Sequence, residues 1–394
     1  MISAKDILSA IEKHTNVLLY GPPGTGKSYL MKEVQKLFLT KYSGGSGTSC
    51  GVDTTAERQA FLELPGRRGY SRWVTFHQGY AYEDFVIGLR PQATDVAQGG
   101  IGLEVRAGVL LELAAQARDG AGLLLIDEIN RGNASRIFGE FITLMEPDKR
   151  LRGDGSEADT TVAVTLPYLA ESQALTLESG VEIPREFRMP RHVYTLASMN
   201  SVDKSIAPID SAIRRRFYVI HLHPRKEDLI NAAGAAGGHH VAQLAVDLLD
   251  ELNRGVGLHL GPEYMLGQFY LPSSPCLGEM DEIAAKKALV ECWRFKLLPQ
   301  LLELFHDRPA VCKKILATDS LETKGSKSGV RLTKPSSEEE DDGAAEFIVN
   351  AQADASDNQI YEYLTNLASR AAGRALRGLE SDGDATRERT NRVD

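Results

Sequence analysis

The chain has no long hydrophobic run and few cysteines. None of its apolar stretches approaches the roughly 20 residues that span a bilayer, and its start, MISAKDILSAIEKH, lacks a basic segment followed by an apolar core. The four cysteines show no CxxC spacing, which argues against a zinc site and a disulfide framework. We therefore expect a cytoplasmic protein with reduced thiols and no membrane contact.

Basic residues are outnumbered in this sequence, with 45 Lys and Arg against 54 Asp and Glu. The 394 residues carry a net charge of −9, whereas proteins that bind nucleic-acid phosphates directly concentrate lysine and arginine on one surface. Any direct contact with nucleic acid is therefore expected to be local. The hydrophobic share of 42% is that of a globular chain long enough for two or more cores.

Five short apolar runs, separated by amphipathic stretches, indicate an α/β fold. They occupy residues 16–20, 72–77, 122–127, 192–200 and 217–223. Continuous apolar runs of this length are typical of strands in a parallel sheet that helices cover on both faces. We predict that residues 1–224 form an α/β core with a five-stranded parallel sheet.

The remainder of the chain differs in pattern. In residues 225–317, apolar positions recur at spacings of three and four, as in HHVAQLAVDLLDELNR, which predicts a small all-α domain. From residue 318 onward there are 16 acidic and 10 basic residues, including the run SSEEEDDG. We predict that residues 318–394 form an acidic, largely disordered tail with one helix over residues 358–379.

The stretch GPPGTGKS fits the phosphate-binding loop G-x-x-x-x-G-K-[ST], and it stands between a predicted strand and a predicted helix. Glycines allow backbone N–H groups to converge on phosphates, Lys27 brings positive charge, and Ser28 offers an oxygen to Mg²⁺. An ordinary Gly/Pro turn is the alternative. The predicted nucleotide-binding residues are Gly21, Pro22, Pro23, Gly24, Thr25, Gly26, Lys27, Ser28 and Tyr29.

An acidic pair follows the apolar run GLLLI. Asp127 and Glu128 stand at the carboxyl end of the predicted strand, where open α/β sheets bind their ligands. In a phosphate-loop protein, Asp127 is expected to hold the metal together with Ser28, and Glu128 to act as the base that activates water. An isolated acidic pair can also be a solvated strand end.

The stretch TLASMNSVDKSIAP passes directly from an apolar strand into polar residues. Such an ending is either a turn or a display of polar groups toward a ligand. If this strand lies between the phosphate-loop strand and the Asp127 strand, Asn200 faces the same phosphate and can hold the attacking water. Asp203 is equally consistent with capping a helix or with a direct role.

Three consecutive arginines in APIDSAIRRRFYVI precede the last predicted strand. In a ring assembly, Arg215 and Arg216, ahead of Arg214, would reach the nucleotide of the neighbouring subunit as arginine fingers. A basic helix end that complements its own dipole is the alternative.

Several ordered blocks resemble the McrB-type branch of the AAA+ ATPases, the motor subunits of modification-dependent restriction systems. These blocks are FHQGYAYEDFVIGLRP, IDEINRGNASRIFGEFITLMEPDKR, MNSVDKS, GPEYMLGQFYLP and CWRFKLLPQLLELF. The second resembles the family's extended Walker B block, the third matches its signature Met-Asn-x-x-Asp, and the last two resemble its lid. The resemblance covers roughly residues 5–307.

The resemblance implies that Asn200 is the sensor 1 residue, that Asp203 contributes to hydrolysis, and that the chain forms hexameric rings with active sites between subunits. Two features depart from the family. Relatives that recognise modified DNA carry a binding module ahead of the motor, for which we expect no room before Asn16. The lid reads GQFY where the family usually has a sequence closer to Gly-His-Ser-Tyr-Phe, so no sensor 2 residue is assigned.

Three functions are consistent with these features. The resemblance implies a ring NTPase that serves a separately encoded nuclease or specificity subunit in defence against foreign DNA, with DNA contacted through that partner. A motor that remodels proteins, similar to the MoxR-type chaperones, is the alternative, and the net charge favours it over direct DNA tracking. A nucleotide-dependent scaffold with little turnover is the third, against which the hydrolytic residues argue.

The sequence does not show whether the nucleotide carries adenine or guanine. ATP and GTP present the same triphosphate to the loop, and the chain has no NKxD motif that would select guanine. Restriction motors of this family use GTP, whereas most AAA+ relatives use ATP. We place ATP ahead of GTP, with Mg²⁺ as the metal.

Overall fold

The computed structural model describes residues 2–42, 68–92, 102–202, 209–236, 239–272, 275–316, 332–333, 348–349 and 356–370. The chain divides into two compact units. The α/β unit contains Ile2–Gly21 and Lys27–Leu222, and the helical unit contains Pro22–Gly26 and the chain from His223 onward. Within the described ranges, no helix is both long and apolar enough to cross a bilayer.

The α/β unit alternates strands and helices. Its helices are α1 (Ala4–His14), α2 (Lys27–Tyr42), α3 (Tyr82–Phe85), α4 (Val109–Gln116), α5 (Ala134–Phe138) and α6 (Ser211–Arg214). Its strands are β1 (Asn16–Gly21), β2 (Arg68–Thr75), β3 (Ile87–Gln92), β4 (Gly102–Ala107), β5 (Gly120–Asp127), β6 (Val164–Thr165), β7 (Ala174–Thr176), β8 (Glu182–Pro184), β9 (Glu186–Phe187), β10 (Val193–Asn200) and β11 (Tyr218–His221).

Five of these strands form one parallel sheet in the order β11-β1-β10-β5-β2. Both faces of the sheet are covered, which explains why its strands are apolar without alternation. In β5, Leu124 and Ile126 join the core on one face, while Leu123 and Leu125 pack on the other with Phe38 of α2. The predicted five-stranded parallel sheet is confirmed, and β10 lies between β1 and β5.

Short antiparallel pairs interrupt this sheet pattern, and the sequence did not predict them. Strands β3 and β4 pair between β2 and α4, and the pairs β6–β9 and β7–β8 lie between α5 and β10. The last two pairs contain strands of only two or three residues. Strands this short do not show the alternation of apolar and polar residues that identifies a half-buried strand.

A buried arginine ties the segment after α5 to the sheet. The Arg150 guanidinium donates to the carbonyl oxygens of Leu144 (2.6 Å), Met145 (3.1 Å) and Val193. Asn16 Nδ2 donates to the same Met145 oxygen at 2.9 Å. Burial lowers the pKa of Arg150 to about 9, so the side chain is still charged at neutral pH. Its charge is therefore balanced by peptide dipoles.

The helical unit confirms the predicted all-α domain after the sheet. Its helices are α7 (Lys226–Ala233), α8 (His240–His259), α9 (Glu282–Cys292), α10 (Leu298–Leu304), α11 (Pro309–Ile315) and α12 (357–370). A π-helical turn, Trp293–Leu297, joins α9 to α10. Two residue pairs, β12 (Leu332–Thr333) and β13 (Ile348–Val349), are antiparallel partners.

Helix α12 belongs to the hydrophobic core of the helical unit. Ile360, Leu364 and Leu367 are buried there, and the ring of Tyr363 lies 5.8 Å from that of Trp293, centroid to centroid. The helix predicted over residues 358–379 thus exists over 357–370, and residues 371–379 lie outside the described ranges. The run SSEEEDDG also lies outside them, so the predicted disorder of the tail stays a prediction.

Candidate functional site

The loop between β1 and α2 needs glycine at two positions. Gly24 has φ +76° and Gly26 has φ +85°, a region that side chains other than glycine rarely adopt. Thr25 Oγ1 donates to the Pro22 carbonyl at 2.8 Å, which closes the turn. The backbone conformation of the loop therefore requires Gly26 of the motif and also Gly24, a position that the motif leaves open.

The GQFY segment of the helical unit forms hydrogen bonds with two backbone carbonyls of this loop. The Phe269 N–H donates to the Gly24 carbonyl, and Gln268 Nε2 donates to the Thr25 carbonyl, each at 2.9 Å. A Cβ atom on Gly267 would lie 2.0 Å from the Gly24 carbonyl carbon, so only glycine fits there. The GQFY segment, for which no sensor 2 role was assigned, thus contacts the phosphate-binding loop.

Helix α2 begins with the lysine and serine of the motif. Lys27 is buried, and its Nζ donates to the Gly21 carbonyl at 2.9 Å. Ser28 Oγ donates to Asp127 Oδ2 at 3.2 Å, while Tyr29 is exposed. A hydroxyl and a carboxylate are hard oxygen ligands, which suit Mg²⁺ when the nucleotide phosphates and water supply the rest. Among the described residues there is no cluster of three or more His, Cys, Asp or Glu suited to a metal.

Glu128 follows β5 in a left-handed backbone conformation, φ 55° and ψ 49°. This conformation is unfavourable for a residue with a side chain and, where it occurs, often marks a functional site. Asn200 Nδ2 donates to Glu128 Oε1, and Arg131 Nε lies 3.2 Å from Oε2. Arg131 was not predicted as a site residue. Asp203 lies outside the described ranges.

Ser198 is a second residue that the sequence did not predict. It is fully buried in β10, and its hydroxyl donates to Asp127 Oδ1 and accepts from the Glu128 N–H at 3.1 Å. One hydroxyl thus contacts both residues of the acidic pair. Ser198 was not predicted because a small residue inside an apolar run has no pattern that indicates function. Only the register of β10 on β5, in which Ala197 pairs with Ile126, places Ser198 beside the acidic pair.

The three arginines after α6 differ in their surroundings. Arg216 Nη2 forms an ion pair with Glu146 at 2.7 Å, and Nη1 donates to the Ala212 carbonyl at 2.6 Å. Only 9% of the Arg216 side chain is exposed. Arg214 and Arg215 are exposed. Of the two arginines placed first by the sequence, Arg215 is thus the one available to a neighbouring molecule.

Two family descriptions match the chain. Residues 68–217 match the AAA domain of the dynein-related subfamily, and residues 244–313 match the α-helical lid domain of McrB. The first match covers most of the sheet together with Asp127, Glu128 and Asn200. The second covers most of the helical unit up to α11.

Two curated relatives are similar over most of this chain. The subunit named type IV methyl-directed restriction enzyme EcoKMcrB, from Escherichia coli K12, is 29% identical over 77% of this chain and 56% of its own length. The type II restriction enzyme BsuMI component YdiS, from Bacillus subtilis 168, is 25% identical over 66% of this chain and 73% of its own length. This chain therefore spans little more than half of the E. coli subunit.

The sheet order, the glycine-rich loop after β1 and the acidic pair after β5 define the chain as an AAA+ P-loop protein, in agreement with the AAA-domain match. The lid match and both restriction-enzyme relatives narrow the assignment. Over residues 68–217 and 244–313 the chain is similar to the McrB-type branch of that family.

Proposed function

We propose that this protein hydrolyses a nucleoside triphosphate with Mg²⁺ and acts as the motor of a restriction system. The main support is the contact between Asn200 and Glu128 at adjoining strand ends, next to Asp127 and the start of α2. A carboxylate and an amide that meet there can hold and deprotonate one water molecule. Ordinary strand ends have no need of such a pair.

Each residue of the site has a distinct task in this proposal. Lys27 places its positive charge on the phosphate oxygens, and the N–H groups of the glycine-rich loop bind them. Ser28 and Asp127 hold Mg²⁺, which neutralises phosphate charge. Glu128 accepts the proton of the attacking water, and Asn200 orients that water.

The assembly and its partner are part of the same proposal. Both curated relatives are named as a subunit or a component of a restriction enzyme. We infer that this chain works with a separately encoded nuclease or specificity subunit, which contacts the DNA, and that it forms a ring, hexameric in related motors. The exposure of Arg215 fits a site completed by a neighbouring subunit.

Phosphate release from ATP and from GTP, measured in the steady state on the purified protein, tests the proposal. We expect turnover with at least one nucleotide, and ATP is placed first. Competition binding with both nucleotides identifies the preferred base, and a pull-down identifies the partner. Binding of nucleotide without phosphate release, with and without that partner, would favour the scaffold alternative instead.

Ser198→Ala is expected to slow turnover without weakening nucleotide binding. The substitution removes the hydroxyl that orients the Asp127 carboxylate and the Glu128 backbone. Loss of a hydrogen bond to a metal-binding carboxylate typically costs about 10- to 100-fold in activity or metal affinity. We expect kcat to fall by about tenfold, with the nucleotide KM little changed, as measured by phosphate release.

Ser198→Thr is the matched control, because threonine keeps the hydroxyl. We expect it to retain most of the wild-type kcat. If alanine and threonine reduce kcat equally, packing in β10 rather than the hydroxyl is responsible, and Ser198 has no positioning role.

Arg215→Ala is expected to suppress turnover by about 10³-fold or more, the typical contribution of an arginine finger, while nucleotide binding persists. Arg216→Ala is expected instead to lower the melting temperature, because it removes the ion pair with Glu146 inside the same subunit. Phosphate release and thermal denaturation of both variants separate the two roles.

Mixing two inactive variants tests whether Arg215 acts across subunits. In a mixed ring, an Arg215→Ala subunit with intact Glu128 meets a Glu128→Gln subunit with intact Arg215. Such a junction contains one complete site, so mixing should restore part of the activity. If mixed rings form but stay inactive, Arg215 does not act in trans.

A further inference from the structure

A cavity of about 400 Å³ lies in the α/β unit, away from the acidic pair. We call it the arginine pocket, after the residues Arg118, Arg152, Arg188, Arg191 and His192 that line it. Arg118 precedes β5 and His192 precedes β10, so the pocket lies at the amino ends of these strands. Asp127 lies at the other end of β5, about 25 Å away for a strand of eight residues. The arginine pocket is therefore separate from the proposed nucleotide site.

The charges around the arginine pocket do not cancel. Four guanidinium groups line it, against two carboxylates, Glu157 and Glu186, which leaves a surplus of two positive charges. Glu157 pairs with Arg188 Nε at 2.9 Å, and Glu186 accepts from the Thr165 hydroxyl at 2.8 Å. A positive surplus stands out in a chain whose net charge is −9.

Backbone carbonyls fix two of these arginines without neutralising them. Arg118 Nη1 donates to the Glu182 carbonyl at 2.9 Å, and Arg191 Nη1 donates to the Pro147 carbonyl at 2.7 Å. A guanidinium has five N–H donors, so each keeps donors for a ligand. An anion that enters the pocket thus meets guanidinium groups that are already oriented.

Arg152 is exposed, and within the described part of the chain no hydrogen bond or ion pair of its side chain is found. The acidic residue of the same turn, Asp154, is engaged by Ser156, whose N–H and hydroxyl donate to it at 2.9 and 2.7 Å. Arg152 can therefore turn toward a ligand without breaking a hydrogen bond or an ion pair, and it gives up only its electrostatic attraction to Asp154.

The shape and charge of the pocket favour a protein ligand over nucleic acid. A surplus of two positive charges matches one or two carboxylates, whereas DNA-binding proteins commonly neutralise six to ten phosphates. Leu151, Pro184 and Pro190 add apolar surface for the methylene groups of a glutamate side chain.

We propose that the arginine pocket binds the carboxylate side chains of an acidic segment on a partner protein. Arginine recognises carboxylates with paired, charge-assisted hydrogen bonds. The proposal depends on the geometry of the pocket and does not require nucleotide hydrolysis.

Fluorescence anisotropy with two labelled probes tests the proposal on the full chain. The probes are hexaglutamate and hexathymidylate, which are similar in length and charge. We expect hexaglutamate to bind the wild type, and the double variant Arg118→Gln/Arg152→Gln to bind it at least about tenfold more weakly. Arg254→Gln removes a half-exposed arginine of the helical unit and should bind like the wild type.

Nucleotide binding and the melting temperature show whether the double variant is folded, and both should match the wild type because the two side chains are exposed. If the double variant is unstable, Arg152→Gln alone serves in its place. The proposal is wrong if hexaglutamate does not bind the wild type, or if it binds the wild type and the Arg118→Gln/Arg152→Gln variant equally. If the wild type binds hexathymidylate more tightly than hexaglutamate and the Arg118→Gln/Arg152→Gln variant loses that binding, the pocket is a nucleic-acid site. That result would also overturn the proposal.

Discussion

Glu128→Gln is expected to reduce phosphate release by about 10²- to 10⁴-fold, the usual contribution of a general base. Glutamine keeps the length and the oxygen that accepts from Asn200, but it cannot take a proton from water. Nucleotide binding should persist, because Glu128 does not belong to the phosphate-binding loop. Phosphate release and nucleotide affinity, measured on the same preparation, check both parts.

Asp148→Asn provides a matched control, since it also neutralises one carboxylate in the α/β unit. Asp148 pairs with the neighbouring Lys149 at 2.9 Å and is more than half exposed. Its removal should leave turnover unchanged. Equal rates in the wild type and the Glu128→Gln variant would mean that another group activates the water.

Arg150→Met is expected to destabilise the α/β unit by about 3 kcal/mol. The substitution leaves the carbonyls of Leu144 and Val193 without the donor that Arg150 supplies, and each buried polar group left unpaired costs about 1–3 kcal/mol. Removing a buried charge offsets part of this cost. The Met145 carbonyl keeps its bond from Asn16, which limits the loss.

Thermal denaturation measures this effect, and a melting temperature lower by about 5–10 °C is expected for a unit of this size. Arg152→Met, two residues further along the chain, is the control: its side chain is exposed and should change the melting temperature little. If the two variants melt alike, the three carbonyl contacts of Arg150 contribute no net stability.

The sequence was sufficient for the five-stranded sheet and for two contacts of the acidic pair, those made by Ser28 and Asn200. Five apolar runs corresponded to five strands, because strands buried on both faces leave a strong hydrophobic signal. Lys27, Asp127, Glu128 and Asn200 could be predicted as site residues because each follows or starts an element at a characteristic position. The structure brings Ser28 to Asp127 and Asn200 to Glu128, as these positions suggested.

The other features of the fold and the site depend on tertiary contacts, which a single sequence does not show. Ser198 and Arg131 contact the acidic pair, and only the register of β10 on β5 and the turn after β5 show these contacts. Arg215 and Arg216 are adjacent residues of the same type, yet Arg215 is exposed and Arg216 is paired with Glu146. The acidic composition of the last segment likewise concealed the apolar face of α12.

The position of α12 extends the core of the helical unit beyond the region of the lid match, which ends at residue 313. The Tyr363 hydroxyl of α12 donates to the carbonyl of Leu316 at 2.7 Å, so α12 lies beside the end of α11. A chain shortened to the matched region would lose the buried leucines of α12 and expose the apolar side chains that they cover.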